Sequence, residues 1–276
     1  MRGRVFLMDC SEGTQVLLRR SHVRFSKLQA VFISHIHGDH CLGLIGLICS
    51  FGLAGRKQPL HVYAPGDLKP VFDSMMDAWG QAIDYDVLFH VVDTTKAAVV
   101  YEDKAVVVST LPLEHRVPCC GYLFSEKPTL PHIKRDMVDF YQIPFSRIND
   151  IKNGADWVDE DGNCVPNEKL VEKALPPRKY AYCSDTKYLP DLHELIDGVD
   201  LLYHESTYTE PYRLLAEKYA HSTAAEAAQV AKDAHAKRLM LGHYSARYKD
   251  ESPLLTEAQA IFPNTVLADE GLVLEV

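Results

Sequence analysis

The chain has 276 residues, 47% hydrophobic and 24% charged, enough to bury a sizeable core as one large domain. Its formal net charge of −9 repels a polyanion at long range and argues against a general nucleic-acid binder. No apolar run approaches the roughly 20 residues that span a bilayer, and Val5 to Met8 is too short for the core of a signal peptide. Seven cysteines at Cys10, Cys41, Cys49, Cys119, Cys120, Cys164 and Cys183 have no disulfide-framework spacing, so a reducing cytoplasm is expected. In chain order, Arg2, Arg4, Arg19, Arg20, Arg24 and Lys27 outnumber Asp9 and Glu12 near the start, and Arg56-Lys57 add to them. They read equally as a local RNA-facing patch and as solubilising charge.

The apolar stretch Ala30 to Ile33 ends at Ser34-His-Ile-His-Gly-Asp-His40. A short strand that stops at a tight turn puts its next side chains at the rim of a sheet, where imidazole and carboxylate can converge on an ion. His35, His37, Asp39 and His40, with Gly38 easing the turn, suit a two-metal hydrolase site; alone, the string would also fit a solvated loop. Helical periodicity covers Leu42 to Leu53 and Leu68 to Ala82. Val106 to Val108 then leads to His115, and from about Pro144 to Lys179 charges, Asn153-Gly154, Asp161-Gly162 and Pro176-Pro177 interrupt any long apolar pattern. Three more apolar runs end in possible donors: Tyr180 to Cys183 before Asp185, Leu201 to Tyr203 before His204-Glu205, and Arg238 to Leu241 before His243. Between and after them lie helical patterns at Leu192 to Ile196, Tyr212 to Tyr219, Thr223 to Ala236 and Leu254 to Ile261. Thr223-x-x-Glu226 is a capping box, so His221 reads as a helix-entry residue or as a functional one.

Several segments together resemble the ribonuclease Z (tRNA 3′-endonuclease) family of the metallo-β-lactamase superfamily. They are Asp9-Cys-Ser-Glu-Gly-Thr-Gln15, His35-Ile-His-Gly-Asp-His40 with Gly43-Leu44, Gly55-Arg56, His115-Arg-Val-Pro118, Ser184-Asp-Thr186, His204-Glu-Ser-Thr207, His221-Ser-Thr223 and Gly242-His-Tyr-Ser245-Ala-Arg-Tyr248. The resemblance implies an αβ/βα sandwich, two packed mixed sheets with helices outside. It implies two Zn²⁺ per chain, one held by His35, His37 and His115, the other by Asp39, His40 and His243, with Asp185 bridging. Asp39, Glu205 and His221 become the catalytic candidates: the bridging water attacks a phosphodiester, and His221, oriented by Glu205, protonates the leaving ribose oxygen. Arg247 is the candidate substrate-binding residue, holding a phosphate. Cys41, beside His40, reads as packing, with a soft metal contact as the alternative. The implied activity is removal of the 3′ trailer from precursor tRNA by a cytoplasmic homodimer, with residues 144–179 as a protruding substrate arm. Alternatives are a small-molecule or cyclic-nucleotide phosphodiesterase on the same fold and a non-catalytic, metal-stabilised RNA-binding protein.

Three features depart from the family pattern. The arm reads Ile143-Pro-Phe-Ser-Arg-Ile148 in place of a Gly-Pro signature, Ile45 stands where the family usually has proline, and only eight residues precede Asp9 where a further strand is expected. A missing N-terminal strand is therefore expected. His22, His61, His90, His132, His193 and His235 match no motif position.

Overall fold

A computed structural model describes residues 3–276, with only the backbone of Ala82; Arg2 lies outside the described residues. The first four strands form a parallel sheet in the order β1 (Val5–Met8), β2 (Leu28–Phe32), β3 (Leu60–Pro65), β4 (Val87–Val92). Its strands are joined by α1 (Thr14–Arg20), by α2 (Gly38–Cys41) with α3 (Gly43–Leu53), and by α4 (Lys69–Trp79). Next come β5 (Val99–Glu102), β6 (Val106–Pro112) and β7 (Cys120–Glu126), then the short pieces β8 (His132–Ile133), α5 (Arg135–Phe140), α6 (Phe145–Lys152), β9 (Trp157–Val158), β10 (Cys164–Val165), α7 (Asn167–Leu170) and β11 (Val171–Glu172). The remainder is β12 (Lys179–Cys183), α8 (Leu192–Leu195), β13 (Leu201–Glu205), α9 (Arg213–Tyr219), α10 (Ala224–Asp233), β14 (Leu239–Gly242), α11 (Ser252–Gln259) and β15 (Thr265–Leu267).

Among the described residues the second sheet has seven strands in the order β15-β14-β13-β12-β7-β6-β5, parallel from β12 to β15 and antiparallel at β12/β7 and β5/β6. Its inner face meets that of the first sheet through Phe32, Tyr63, Val106, Val108, Tyr122 and Phe124. The Phe32 ring lies 5.1 Å from Tyr122 and 5.3 Å from Phe124, both edge to face. The outer face of the first sheet is covered by Leu44, Leu47, Ile48 and Phe51 of α3 and Phe72 of α4. On the second sheet Ala224, Ala227, Ala228 and Ala231 of α10 are buried, and their small side chains let the helix sit close to β13 and β14. The expected αβ/βα sandwich is thus the architecture of this unit.

Residues 126–177 form a compact unit of their own, whereas the main unit holds the chain up to Ser125 and from Arg178 onward. The small unit has its own core of Ile143, Ile151, Val165, Leu170 and Val171 and two short antiparallel pairings, β8 with β11 and β9 with β10. It begins earlier than the 144–179 segment marked by composition, and Lys179 belongs to β12 of the main unit. Ser125 and Lys179 are cross-strand partners in β7 and β12, so the chain leaves the main sheet and returns to it at neighbouring positions.

Candidate metal centre

The ligand candidates stand just beyond strand ends, on loops or, for Asp39 and His40, on the short helix α2. His35 to His40 follow β2, His115 follows β6, Asp185 follows β12, and His243 follows β14. The loop after β2 is seated by backbone contact: Cys10 N–H donates to the His40 carbonyl at 2.7 Å, and Gly43 N–H to the Cys10 carbonyl at 2.9 Å. A Cβ at position 43 would lie 1.8 Å from the Ser11 carbonyl oxygen, so only glycine permits this approach.

Asp185 stands between two groups of imidazoles. Its Oδ2 is 3.8 Å from Nε2 of both His35 and His115, while its Oδ1 is 3.6 Å from His40 Nε2 and 3.3 Å from His243 Nε2. Asp39 Oδ2 completes the second group, 3.4 Å from His40 Nε2 and 3.9 Å from His243 Nε2. His37 Nδ1 joins the first, 2.9 Å from His35 Nε2. Potential ligand atoms of His35, His37, His115 and Asp185 all lie within 4.8 Å of one another, as do those of Asp39, His40 and His243, and those of Asp185, His221 and His243.

The ring nitrogens facing away from the centre have partners. His40 Nδ1 donates to Asp9 Oδ2 at 2.8 Å, His115 Nδ1 to the Ala220 carbonyl at 2.8 Å, His243 Nδ1 to Thr207 Oγ1 at 2.8 Å and His35 Nδ1 to Ser34 Oγ at 2.9 Å. The opposite nitrogens of His40 and His115 are buried with no hydrogen-bond partner. Imidazoles fixed from behind, with bare nitrogens converging on carboxylates, are the donor set of a nitrogen- and oxygen-ligated cation, so the residues fit a metal. Electrostatics separate the two groups: the first is held neutral, whereas His40 and His243 are raised by the carboxylates around them, so a cation must displace a proton there. Burial and the neighbouring His40, His37 and His115 push His35 down to about 2, and burial also lowers His115, keeping both neutral. The His243 and His40 imidazoles beside it hold Asp39 well below the usual carboxylate range. Burial opposes the charged form of His243, yet Asp39, Asp185 and Glu205 lift it to about 9.

Glu205 and His221 are brought together. His221 Nδ1 donates to Glu205 Oε1 at 2.8 Å, and the carboxylate also accepts from the Thr186 and Thr207 N–H groups, each at 3.0 Å, and from the Thr207 hydroxyl at 2.7 Å. Burial, the largest single influence, would raise Glu205, but His221, His243 and the Thr207 hydroxyl together outweigh it and hold the carboxylate below its usual range. The capping box is present as well: Thr223 Oγ1 accepts from Glu226 N–H at 3.2 Å, and Glu226 accepts from Thr223 N–H at 2.8 Å. The segment His221–Glu226 therefore starts α10 and presents an imidazole to the centre. Arg247 is exposed, its guanidinium 5.1 Å from the Tyr208 ring and 4.5 Å from the Tyr212 ring, with no carboxylate partner among the described residues. Held by aromatic faces, its charge is not neutralised.

Asp9, Ser34, Thr207 and the Ala220 carbonyl were not marked as site groups by the sequence. Asp9 accepts from Ser34 N–H and Oγ–H, His40 and Tyr182, at 2.7 to 2.9 Å, which makes it the anchor of the loop after β2. Its place in the first quoted segment was the available signal. Arg56 needs a correction. Expected in a surface patch, it is buried and donates to the carbonyls of Phe25, Leu28, Gln58 and Pro59, while Lys57 pairs with Asp84. Arg19, Arg20, Arg24 and Lys27 are exposed, and Arg4 pairs with Asp103. Cys41 is a packing thiol that contacts the Ile36 and His37 carbonyls. Burial pushes it up to about 11.

Comparison with known proteins follows the same lines. A family profile described as "Beta-lactamase superfamily domain" matches residues 171–244, and one described as "Anti-Pycsar protein Apyc1" matches residues 1–126. Ribonuclease Z of Bacteroides thetaiotaomicron is 50% identical over 276 residues, covering 100% of this chain and 87% of the relative. The chain belongs to the ribonuclease Z family. Ribonuclease Z of Bacteroides fragilis is 49% identical, again over 100% of this chain and 91% of the relative. The fold of the short form of human tRNase Z matches with a TM-score of 0.70 at 24% identity, over 100% of this chain and 89% of that one. Ribonuclease Z membership and the sandwich architecture thus agree.

Proposed function

We propose that the chain is a zinc-dependent endoribonuclease that cuts precursor tRNA after the discriminator nucleotide and leaves a 3′-hydroxyl on the tRNA. The observation that carries this is Asp185, which directs one oxygen to His35 and His115 and the other to His40 and His243. His35, His37 and His115 would hold one Zn²⁺ and Asp39, His40 and His243 the second, with Asp185 available to both groups. When bound, the pair supplies Lewis acidity to the attacking water and to the phosphoryl oxygens.

The chain's own residues do the rest. Asp9, Thr207 and the Ala220 carbonyl keep three ligand rings from rotating. Glu205 orients His221 through Nδ1, which leaves the other nitrogen to protonate the departing ribose 3′-oxygen. Arg247, clamped between Tyr208 and Tyr212, holds a phosphate beside the scissile one. Residues 126–177 act as the tRNA-gripping arm, the active form is a homodimer, and seven free cysteines support a reducing, cytoplasmic setting. No helix among the described residues is long and apolar enough to cross a membrane.

The test pairs a labelled precursor tRNA with a bis(nitrophenyl) phosphodiester. Zinc-dependent release of one trailer fragment is expected. Turnover of the small diester with the precursor left intact would move the chain to the small-substrate phosphodiesterases, and turnover of neither would leave a metal-stabilised binding protein.

A further inference from the structure

Thr207 Oγ1 sits at the junction of the two functional groups. It is 2.8 Å from His243 Nδ1, 2.7 Å from Glu205 Oε2, 3.1 Å from the His243 carbonyl and 3.3 Å from His221 Nδ1. A hydroxyl has one proton to give, and the buried carboxylate at the shortest distance takes it. His243 must then donate through Nδ1, which turns its Nε2 toward Asp39 and Asp185 as the nitrogen available to a cation. Glu205 in turn receives His221 on its other oxygen. One hydrogen-bonded chain therefore runs from His243 through Thr207 and Glu205 to His221. His243 also has a backbone φ of +55°, a conformation that a non-glycine residue adopts only under constraint, and the Ser245 N–H donates to the Thr207 carbonyl at 3.3 Å, closing the turn around it.

We propose that Thr207 is a positioning residue that fixes His243 in its Nδ1-protonated form and couples retention of the second ion to the orientation of the proton donor. This rests on the zinc-centre reading above. The coupling needs the hydroxyl, and the methyl group contributes packing only. Serine should therefore substitute and valine should not, although valine matches threonine in shape.

The experiment compares Thr207→Val and Thr207→Ser with the parent chain. Long-range ¹⁵N–¹H NMR reads which nitrogen of His243 carries the proton, competition with a chelator reads zinc retention, and paired assays read the ratio of precursor-tRNA cleavage to nitrophenyl-diester hydrolysis. The valine variant should lose one of two zincs at about 10–100-fold lower chelator concentration. In the zinc-free protein, read above the pH at which the imidazole loses its charge, its His243 should populate both tautomers, and the activity ratio of the zinc-loaded variant should fall. The serine variant should match the parent in all three. Parental tautomer and zinc retention in Thr207→Val would overturn the proposal, and so would equal damage in Thr207→Ser. If valine prevents folding, Thr207→Ala is read in its place. A parent chain that binds no zinc would sink the centre itself, a result distinct from failure of the Thr207 role.

Discussion

Asp185 is 3% exposed and faces an imidazole pair with each oxygen, so its removal should cost the centre more than any single histidine would. Asp185→Ala is expected to lower zinc content and abolish phosphodiester hydrolysis in a folded protein. Elemental analysis beside circular dichroism checks this, and two zincs with full activity would exclude the centre. The acid is tested through the leaving group. Nitrophenolate departs unaided whereas a ribose alkoxide needs a proton, so His221→Ala should slow RNA cleavage about 10²–10⁴-fold and the nitrophenyl diester far less. Glu205→Gln should show the same selectivity more weakly, since the imidazole stays but loses its anionic partner. Equal loss on both substrates with zinc intact would make His221 a phosphate-positioning or structural group. The metal-ligand candidates were legible because each group follows an apolar run, whereas His221 and Arg247 were named only through the family resemblance. The roles of Asp9, Thr207 and Ala220 were not legible, because they depend on contacts with rings distant in sequence, and Asp9 and Ala220 stand at turns with φ of 51° and 55° that no local pattern encodes.

Among the elements, the helices with a continuous apolar stripe were legible to within a few residues: Leu42 to Leu53 became α3, Leu68 to Ala82 became α4 followed by a 3₁₀ turn, and the capping box located α10. Helix α1 was missed because Val16 and Leu17 are 43% and 42% exposed, so its apolar residues do not mark a buried face. The short strands β8 to β11 span two residues each, too few to show a period. Arg56 joins elements distant in sequence, bringing carbonyls near β2 and β3 onto one guanidinium. Arg56→Met should leave these carbonyls unpaired and cost at least about 2 kcal/mol, read from the urea midpoint with an unchanged slope. A change below about 0.5 kcal/mol, the range of ordinary surface substitutions, would place Arg56 back among the surface cations.

For the whole molecule, the pairing of Ser125 with Lys179 means that a short Gly/Ser link can replace Glu126–Pro177 without pulling β7 and β12 apart. Such a variant should hydrolyse the nitrophenyl diester normally and cleave precursor tRNA with a raised KM. Equal loss on both substrates would make the small unit part of the catalytic core, and no loss on either would favour a small natural substrate. Composition pointed to this unit but not to its bounds, because its core is assembled from Ile143, Ile151, Val165, Leu170 and Val171, too scattered along the chain to form a pattern. The centre also draws His35, His37, Asp39 and His40 from a loop of the first sheet and His115, Asp185 and His243 from loops of the second. Ions shared by those loops would act as crosslinks between the two halves of the sandwich, adding about 4 kcal/mol at a thousandfold excess over Kd. Chelation should then lower Tm by on the order of 10 °C and speed amide exchange first at the ends of β2, β12 and β14. Unchanged melting after complete zinc removal would contradict this. Zinc supply would then govern the lifetime of the fold as well as its turnover, so metal-starved cells would lose the protein itself along with its activity.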